Sequence, residues 1–288
     1  MSPITSLQRS VLFVQGSHQH RIEKSVAIPA DVLVFDLEDA VSPSEKECAR
    51  RLVIDALKST DFANRQCVVR INGVTTPWFK DDVAALREIQ NCAIMLPKCE
   101  CAGDLVQLKT ALKGHPATIY ALVESALGVF SVGELAKNLN AGDKLCFGHL
   151  DFATDMGLTN TEPSIGSIHY ARNQVAIAAC AFNVSAIDCL TLEMKNEAVI
   201  RQDVIDGMNL GFQGKLCIHP YQVDIVNEVY TPTKEQLLKA NRILDEWEKV
   251  KADGQSVFTY ENKMVDLPVV HAQQNILSRY NAIISSQS

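Results

Sequence analysis

Residues 119–147 read IYALVESALGVFSVGELAKNLNAGDKLCF. One continuous apolar run, Ile119-Tyr120-Ala121-Leu122-Val123, ends at an acid, Glu124. A stretch with helical spacing follows from Gly128 to Asn138, and then a second run, Lys144-Leu145-Cys146-Phe147. Neither run alternates apolar with polar residues, which is the pattern of parallel strands covered on both faces. Strand, helix and strand in this order make a βαβ unit.

The same rhythm extends in both directions. Val11–Val14, Val32–Phe35, Cys67–Ile71 and Cys92–Leu96 precede the unit, and Ala186–Leu190 and Lys215–Ile218 follow it. Helical stretches lie between them over 44–58, 80–90, 103–112, 170–182 and 196–210. Ser42-Pro43-Ser44-Glu45 supplies a helix start, with a capping serine and an early acid. Eight strands with intervening helices predict a closed (β/α)8 TIM barrel, an α/β fold. The rival is an open doubly wound sheet, which uses a glycine-rich first turn. No G-x-G-x-x-G and no phosphate-loop lysine occurs, which counts against dinucleotide binding and nucleotide hydrolysis.

After Pro220 the pattern changes. A long amphipathic helix is expected over 233–250, a looser segment from Gly254, and a last helix over 268–284. The expected organisation is a barrel over 1–220 and a C-terminal helical arm over 221–288. On pattern alone the arm fits an oligomer element and a simple packing helix equally well.

Composition sets the class. Of 288 residues, 47% are hydrophobic and 21% charged, which excludes a disordered chain. A net charge of -7 counts against nucleic acid and against an anionic membrane surface as the main partner. No run of about 18 apolar residues is present, and Met1–Gln8 has no apolar leader core. Nine cysteines, an odd number, make a poor disulfide framework. Cys67, Cys92, Cys146, Cys189 and Cys217 sit in apolar runs, and Cys99-x-Cys101 lacks a second pair at zinc spacing. These features predict a cytoplasmic protein.

In a (β/α)8 barrel the chemistry lies at the C-terminal ends of the strands. There the sequence offers Asp36, Glu38 and Asp39 after the second strand, Arg70 and Asn72 at the end of the third, and Lys98 at the end of the fourth. Glu124 follows the fifth strand, Asp151 the sixth and His219 the eighth. Glu124 and Asp151 end adjacent strands, where their mutual repulsion would be relieved by a divalent cation. Two carboxylates with open positions suit Mg²⁺ better than Ca²⁺ or Zn²⁺. Asp36, Glu38 and Asp39 are expected to hold metal-bound water or Lys98. His219 is read as structural.

Seven segments together resemble the citrate lyase beta subunit-like family of the HpcH/HpaI aldolase superfamily. They are Arg9–Val14, Asp36–Val41, Val69–Gly73, Leu96–Lys98, Val123–Gly128, Phe147-Gly148 with Asp151, and Gly214–Pro220. The resemblance covers nearly the whole chain. It implies a Mg²⁺-dependent TIM-barrel lyase, a homotrimer or homohexamer. Its implied reaction cleaves a 3-hydroxyacyl-CoA thioester of the malyl-CoA or citramalyl-CoA type to acetyl-CoA and a 2-keto acid. Glu124 and Asp151 match the metal ligands, and Arg70 and Glu124 match the substrate-binding pair. Phe13 and Lys24 match positions that touch CoA. Asp266 is similar to an aspartate that the C-terminal arm contributes to a neighbouring subunit's site as acid/base. One departure stands out: in the pattern F-x-P-G-x-R, Gln15 replaces the proline and His18 the arginine, with Arg21 the next cation along. A citrate lyase beta subunit acting on a carrier-protein thioester, a free-acid aldolase and a catalytically silent binding barrel are the alternatives.

Overall fold

A computed structural model describes residues 7–63 and 65–287. Residues 1–6, most of the segment read for a leader, lie outside these. The barrel elements in chain order are β1 Ser10–Gln15, α1 Gln19–Ser25, β2 Val32–Asp36, α2 Lys46–Ser59, β3 Gln66–Arg70, α3 Phe79–Leu86, β4 Cys92–Leu96 and α4 Ala102–Leu112. They continue with β5 Ile119–Val123, α5 Ala126–Phe130, α6 Val132–Lys137, β6 Lys144–Phe147, α7 His149–Asp155, α8 Gly166–Ala181, β7 Ser185–Asp188, α9 Glu197–Leu210, β8 Gly214–Cys217 and α10 Pro220–Tyr230. The eight strands close in sequential order into a parallel barrel, with β8 returning to β1 through Ser10↔Lys215 and Val11↔Leu216. The fold is the expected (β/α)8 barrel.

Side-chain parity explains the interior. Val11, Val32, Val34, Val68, Ala93, Met95, Tyr120, Leu122, Cys146, Ile187 and Leu216 form one buried cluster. They are alternate residues of their strands, so they share the inward face. The intervening residues, such as Leu33, Phe35, Ile94 and Leu145, are equally buried but face the helix layer. Both faces are apolar, hence the continuous runs. Continuing the inward parity past this apolar layer gives Phe13, Asp36, Arg70, Glu124 and Gly148. The functional candidates are thus the next inward rung.

The outward parity carries a second polar group that the sequence reading missed. Asp188 of β7 and Lys215 of β8 face α8 and α9, where they meet Arg172 and Asp203. Arg172 donates to both Asp188 oxygens and to Asp203 at 2.9 Å; Lys215 lies 2.7 Å from Asp203 and donates to the Cys189 carbonyl at 2.7 Å. Two acids and two bases are thereby buried as a neutral unit, which satisfies charges that would be costly alone. Gly207 makes room for it, since a Cβ there would lie 2.3 Å from Asp188 Oδ2. His149, also buried, feels this cluster. Burial, and then the charge of Lys215, pushes its pKa down to about 4 from 6.5. Between pH 6.5 and 4 the unfolded chain takes up a proton that the folded chain refuses, so stability falls with pH across that window. Over it the parent is expected to lose on the order of 3 kcal/mol more than His149→Gln. Urea unfolding of both proteins at the two ends of the window checks this, and equal losses would refute it.

Local departures from the sequence expectations have local causes. The helix expected over 128–138 is two short helices broken at Ser131, because Gly128 and Gly133 weaken its interior. The serine expected to cap the second helix does not cap a backbone N–H. Ser42 instead donates to the Glu45 carboxylate at 2.6 Å, a 3-10 turn occupies Pro43–Glu45, and α2 starts at Lys46. All five cysteines assigned to apolar runs are buried free thiols, as is Cys99. Among the described residues no helix is long and apolar enough to cross a membrane.

The chain divides into two compact units, one of them Gln8–Glu228. It extends past Pro220 because α10 follows β8 as an eighth covering helix. The other unit, from Val229 onward, contains α11 Lys234–Ala252, the antiparallel hairpin of β9 Phe258–Tyr260 and β10 Lys263–Val265, and α12 Leu267–Gln287. Thr233 caps α11 with a capping box to Gln236. Ile243, Trp247, Val265 and Val270 form this unit's core. The hairpin, in a segment expected to be loose, turns at Glu261 and Asn262, both left-handed.

Candidate active site

A cavity of about 420 Å³ opens at the C-terminal mouth of the barrel. Five strand-to-helix connections line it: Glu38 after β2, Gly73–Thr76 after β3, Lys98, Glu100 and Asp104 after β4, Glu124 and Ser125 after β5, and Asp151, Thr154 and Asp155 after β6. The arrangement brings Glu124, Asp151, Glu38 and Lys98 together around one cavity. It adds Val74, Thr75, Thr76, Thr154 and Asp155, which the sequence reading did not single out. Their signal was position alone, since they follow strand ends.

Arg70 is the hub of the charged groups. Its Nε and Nη2 donate to the two oxygens of Asp36 at 2.7 and 2.6 Å, a bidentate pair. Its Nη1 lies 3.0 Å from Glu38 and 3.7 Å from Asp39. The Phe13 ring lies under the guanidinium at 5.0 Å. Burial opposes the charge of Arg70, but Asp36 and then Glu38 outweigh it and hold the group firmly protonated. Glu38 is raised by burial in spite of Arg70 and Lys98.

Lys98 works with both ends. It adopts a left-handed backbone (φ 52°), which is uncommon for a residue with a Cβ. In that conformation its N–H donates to Glu124 Oε1 at 2.8 Å, while its ammonium donates to Glu38 at 2.8 Å and lies 3.7 Å from Asp39.

Glu124 is 3% exposed. Burial pushes its pKa up to about 8; Arg70 lowers it, Glu38 and Asp151 raise it, and the Lys98 N–H lowers it. Its other oxygen, Oε2, lies where Gly148 has no side chain: a Cβ there would be 2.7 Å away. Asp151 sits in the first turn of α7 rather than at a bare strand end. Five carboxylates (Asp36, Glu38, Asp39, Glu124, Asp151) therefore face two cations (Arg70, Lys98), a surplus of acidic over basic groups. Among the described residues no group of three or more histidine, cysteine, aspartate or glutamate side chains forms a metal cage. The pair Glu124–Asp151 supplies hard oxygen donors at the focus of that surplus, so these residues fit a divalent cation.

Lys24 is exposed in the last turn of α1. His18 is exposed ahead of α1 and bonded to Ser17 Oγ at 2.9 Å. Asp266 belongs to the C-terminal unit, where its side chain accepts from the Val269 N–H at the start of α12.

Comparison with known proteins agrees with this geometry. Residues 164–280 match the family model of a carbon–carbon bond lyase of the TIM-barrel fold. The citrate lyase subunit beta of Leuconostoc mesenteroides subsp. cremoris is 35% identical over 96% of this chain and 94% of its own length. The L-malyl-CoA/beta-methylmalyl-CoA lyase of Rhodobacter capsulatus is 32% identical over 94% of each. The crystal structure of the CitE protein of Mycobacterium tuberculosis, in complex with magnesium, acetoacetate and coenzyme A, superposes with a TM-score of 0.81 at 28% identity, covering 96% of this chain and 99% of that one. Residues 9–220, the barrel with all its cavity residues, match the HpcH/HpaI aldolase/citrate lyase model, and the chain belongs to that family.

Proposed function

We propose that the protein is a Mg²⁺-dependent carbon–carbon lyase that cleaves a 3-hydroxyacyl-CoA thioester, of the malyl-CoA or citramalyl-CoA type, to acetyl-CoA and a 2-keto acid. The observation that carries this is Glu124, a buried carboxylate raised to about 8, converging with Asp151 on the acid-rich cavity. The names of the relatives and the magnesium, acetoacetate and coenzyme A in the CitE structure support it.

Glu124 and Asp151 would hold the cation, which when bound supplies a Lewis acid for the hydroxyl and carboxylate oxygens of the substrate. Arg70 keeps two N–H groups beyond those committed to Asp36 and Glu38, so it offers fixed positive charge to a developing oxyanion. The hydroxyl gives up its proton to solvent, its oxygen electrons form the keto C=O, and the electrons of the broken carbon–carbon bond form the enolate of the acetyl thioester. Asp266, from the C-terminal unit of a neighbouring subunit in a homotrimer or homohexamer, returns a proton to the enolate carbon. Glu38, with Asp36 and Asp39, holds Arg70 and Lys98 in place. Phe13 braces Arg70 from beneath, and Lys24 is assigned to the CoA phosphates.

The purified chain should release acetyl-CoA from malyl-CoA or citramalyl-CoA with Mg²⁺ and none with EDTA, as read by mass spectrometry. A second reading rests on Gln15 and His18 standing where the family pattern has proline and arginine. In it the thioester is borne by a carrier protein, as the resemblance to citrate lyase beta subunits suggests. Turnover of a carrier-bound thioester with no turnover of any CoA ester would favour it. No turnover of either would refute the lyase assignment.

A further inference from the structure

Lys46 is the first residue of α2, 6% exposed, and no mechanism above uses it. Its ammonium donates to the carbonyls of Leu37 and Glu38 at 2.8 and 2.7 Å, with the Trp78 ring 5.3 Å away. These two carbonyls flank the Glu38 Cα, so the ammonium pins the peptide groups on both sides of the residue that bridges Arg70 and Lys98. The Glu38 carbonyl also accepts from the Val41 N–H at 3.0 Å, and the Leu37 N–H donates to the Arg70 carbonyl at 2.9 Å. Burial depresses the Lys46 pKa, opposed by Asp36, Glu38, Asp82 and Asp39, the acids that surround it.

One turn later on the same helix, Arg50 donates to Asp82 at 2.6 Å. Asp82, 1% exposed, in turn accepts from the backbone N–H and side-chain amide of Asn72 at 2.9 and 2.7 Å. Helix α2 thus grips two neighbouring connections, the acid loop through Lys46 and the β3–α3 turn through Arg50. A lysine needed only for packing would keep its head in water. This one gives up that hydration for two carbonyls that fix one particular residue.

We propose that Lys46 is a positioning residue, which holds the backbone of Glu38 so that its carboxylate orients Arg70 and restrains Lys98 in the catalytic cavity. The inference rests on the lyase reading for its effect on turnover, but not for its effect on Lys98. In Lys46→Met the Glu38 carboxylate should leave Lys98, and the released amine should react faster with N-hydroxysuccinimidyl acetate. Per folded enzyme, kcat should fall about 10- to 100-fold with KM changed by less than about threefold, since geometry and not binding is lost. Acetylation of Lys98 at pH 8 should speed up about tenfold, because its ammonium, which now donates to Glu38 at 2.8 Å, would lose that restraint. Lys80 and Lys113, both exposed, serve as internal references, and Glu38→Gln sets the upper limit for release of Lys98.

A purely structural role would reduce the folded fraction and leave both readouts unchanged in the molecules that fold. Either readout staying within about 1.5-fold of the parent, after correction for folded protein, overturns the proposal. If Lys46→Met does not fold, Lys46→Arg carries the same two readouts, because its planar fork cannot reach both carbonyls with the geometry of an ammonium. If the parent itself turns over no thioester, the lyase reading fails there, and acetylation of Lys98 alone decides the positioning role.

Discussion

Glu124→Ala should leave a folded protein whose Mg²⁺-dependent cleavage is at least about 1000-fold slower, because one of only two carboxylates for the cation is gone. Glu124→Gln separates the two duties of this side chain. Its amide oxygen can still accept the Lys98 N–H that now reaches Oε1 at 2.8 Å, but it brings no charge to the cation. Turnover should therefore be lost in both variants, and Mn²⁺ binding measured by calorimetry should weaken in parallel. Stability moves the other way. The folded-state pKa is raised from 4.5 to about 8, so without metal the parent loses stability as pH rises between those values. Glu124→Gln removes that loss and should be more stable than the parent at pH 8 in EDTA, by on the order of a few kcal/mol. An inactive variant that is also more stable cannot be explained by misfolding. Near-normal Mg²⁺-dependent cleavage by Glu124→Ala would sink the assignment.

The second large effect is expected at Arg70. Lysine keeps the charge but loses the planar fork that grips Asp36 at 2.7 and 2.6 Å, so Arg70→Lys should cost about 100-fold in kcat/KM. Arg70→Met should cost about 1000-fold and also destabilise the fold by about 3–5 kcal/mol, because the buried acids lose their counter-charge. Asp36 and Glu38 are 2% and 5% exposed and have no water to turn to. Adding Asp36→Asn to Arg70→Met should recover much of the stability and none of the turnover. Urea midpoints and turnover per folded enzyme, measured on the same preparations, give both quantities. If the double variant regained activity, Arg70 would be a structural counter-ion only.

The barrel was legible because parallel strands covered on both faces leave unbroken apolar runs, and eight of them are visible from Val11 to Ile218. Two members of the inward polar rung stood out too, since Glu124 comes directly after such a run and Arg70 interrupts another near its end. What escaped was whatever depends on parity or on backbone geometry rather than on residue type. Asp188 and Lys215 lie within apolar runs, and one position of parity turns them outward to Arg172 and Asp203. Nothing in Pro97-Lys98 announces the left-handed turn that aims the Lys98 N–H at Glu124. Asp151 was expected at a strand end, whereas α7 begins two residues earlier and carries it in a helical turn. The hairpin around Glu261 and Asn262 was hidden because its strands are three residues each.

The distribution of thiols gives the enzyme a ready set of attachment points. Cys67, Cys92, Cys99, Cys146, Cys189 and Cys217 are buried, and burial pushes each thiol up, so they stay protonated and out of reach of alkylating dyes. Only Cys48, Cys101 and Cys180 are exposed. Cys101 forms the N-cap of α4, between Glu100 and Asp104 on the cavity rim. Replacing Cys48 and Cys180 with serine would leave one accessible thiol beside the mouth of the barrel, where a fluorophore could report filling of the cavity without any engineered cysteine.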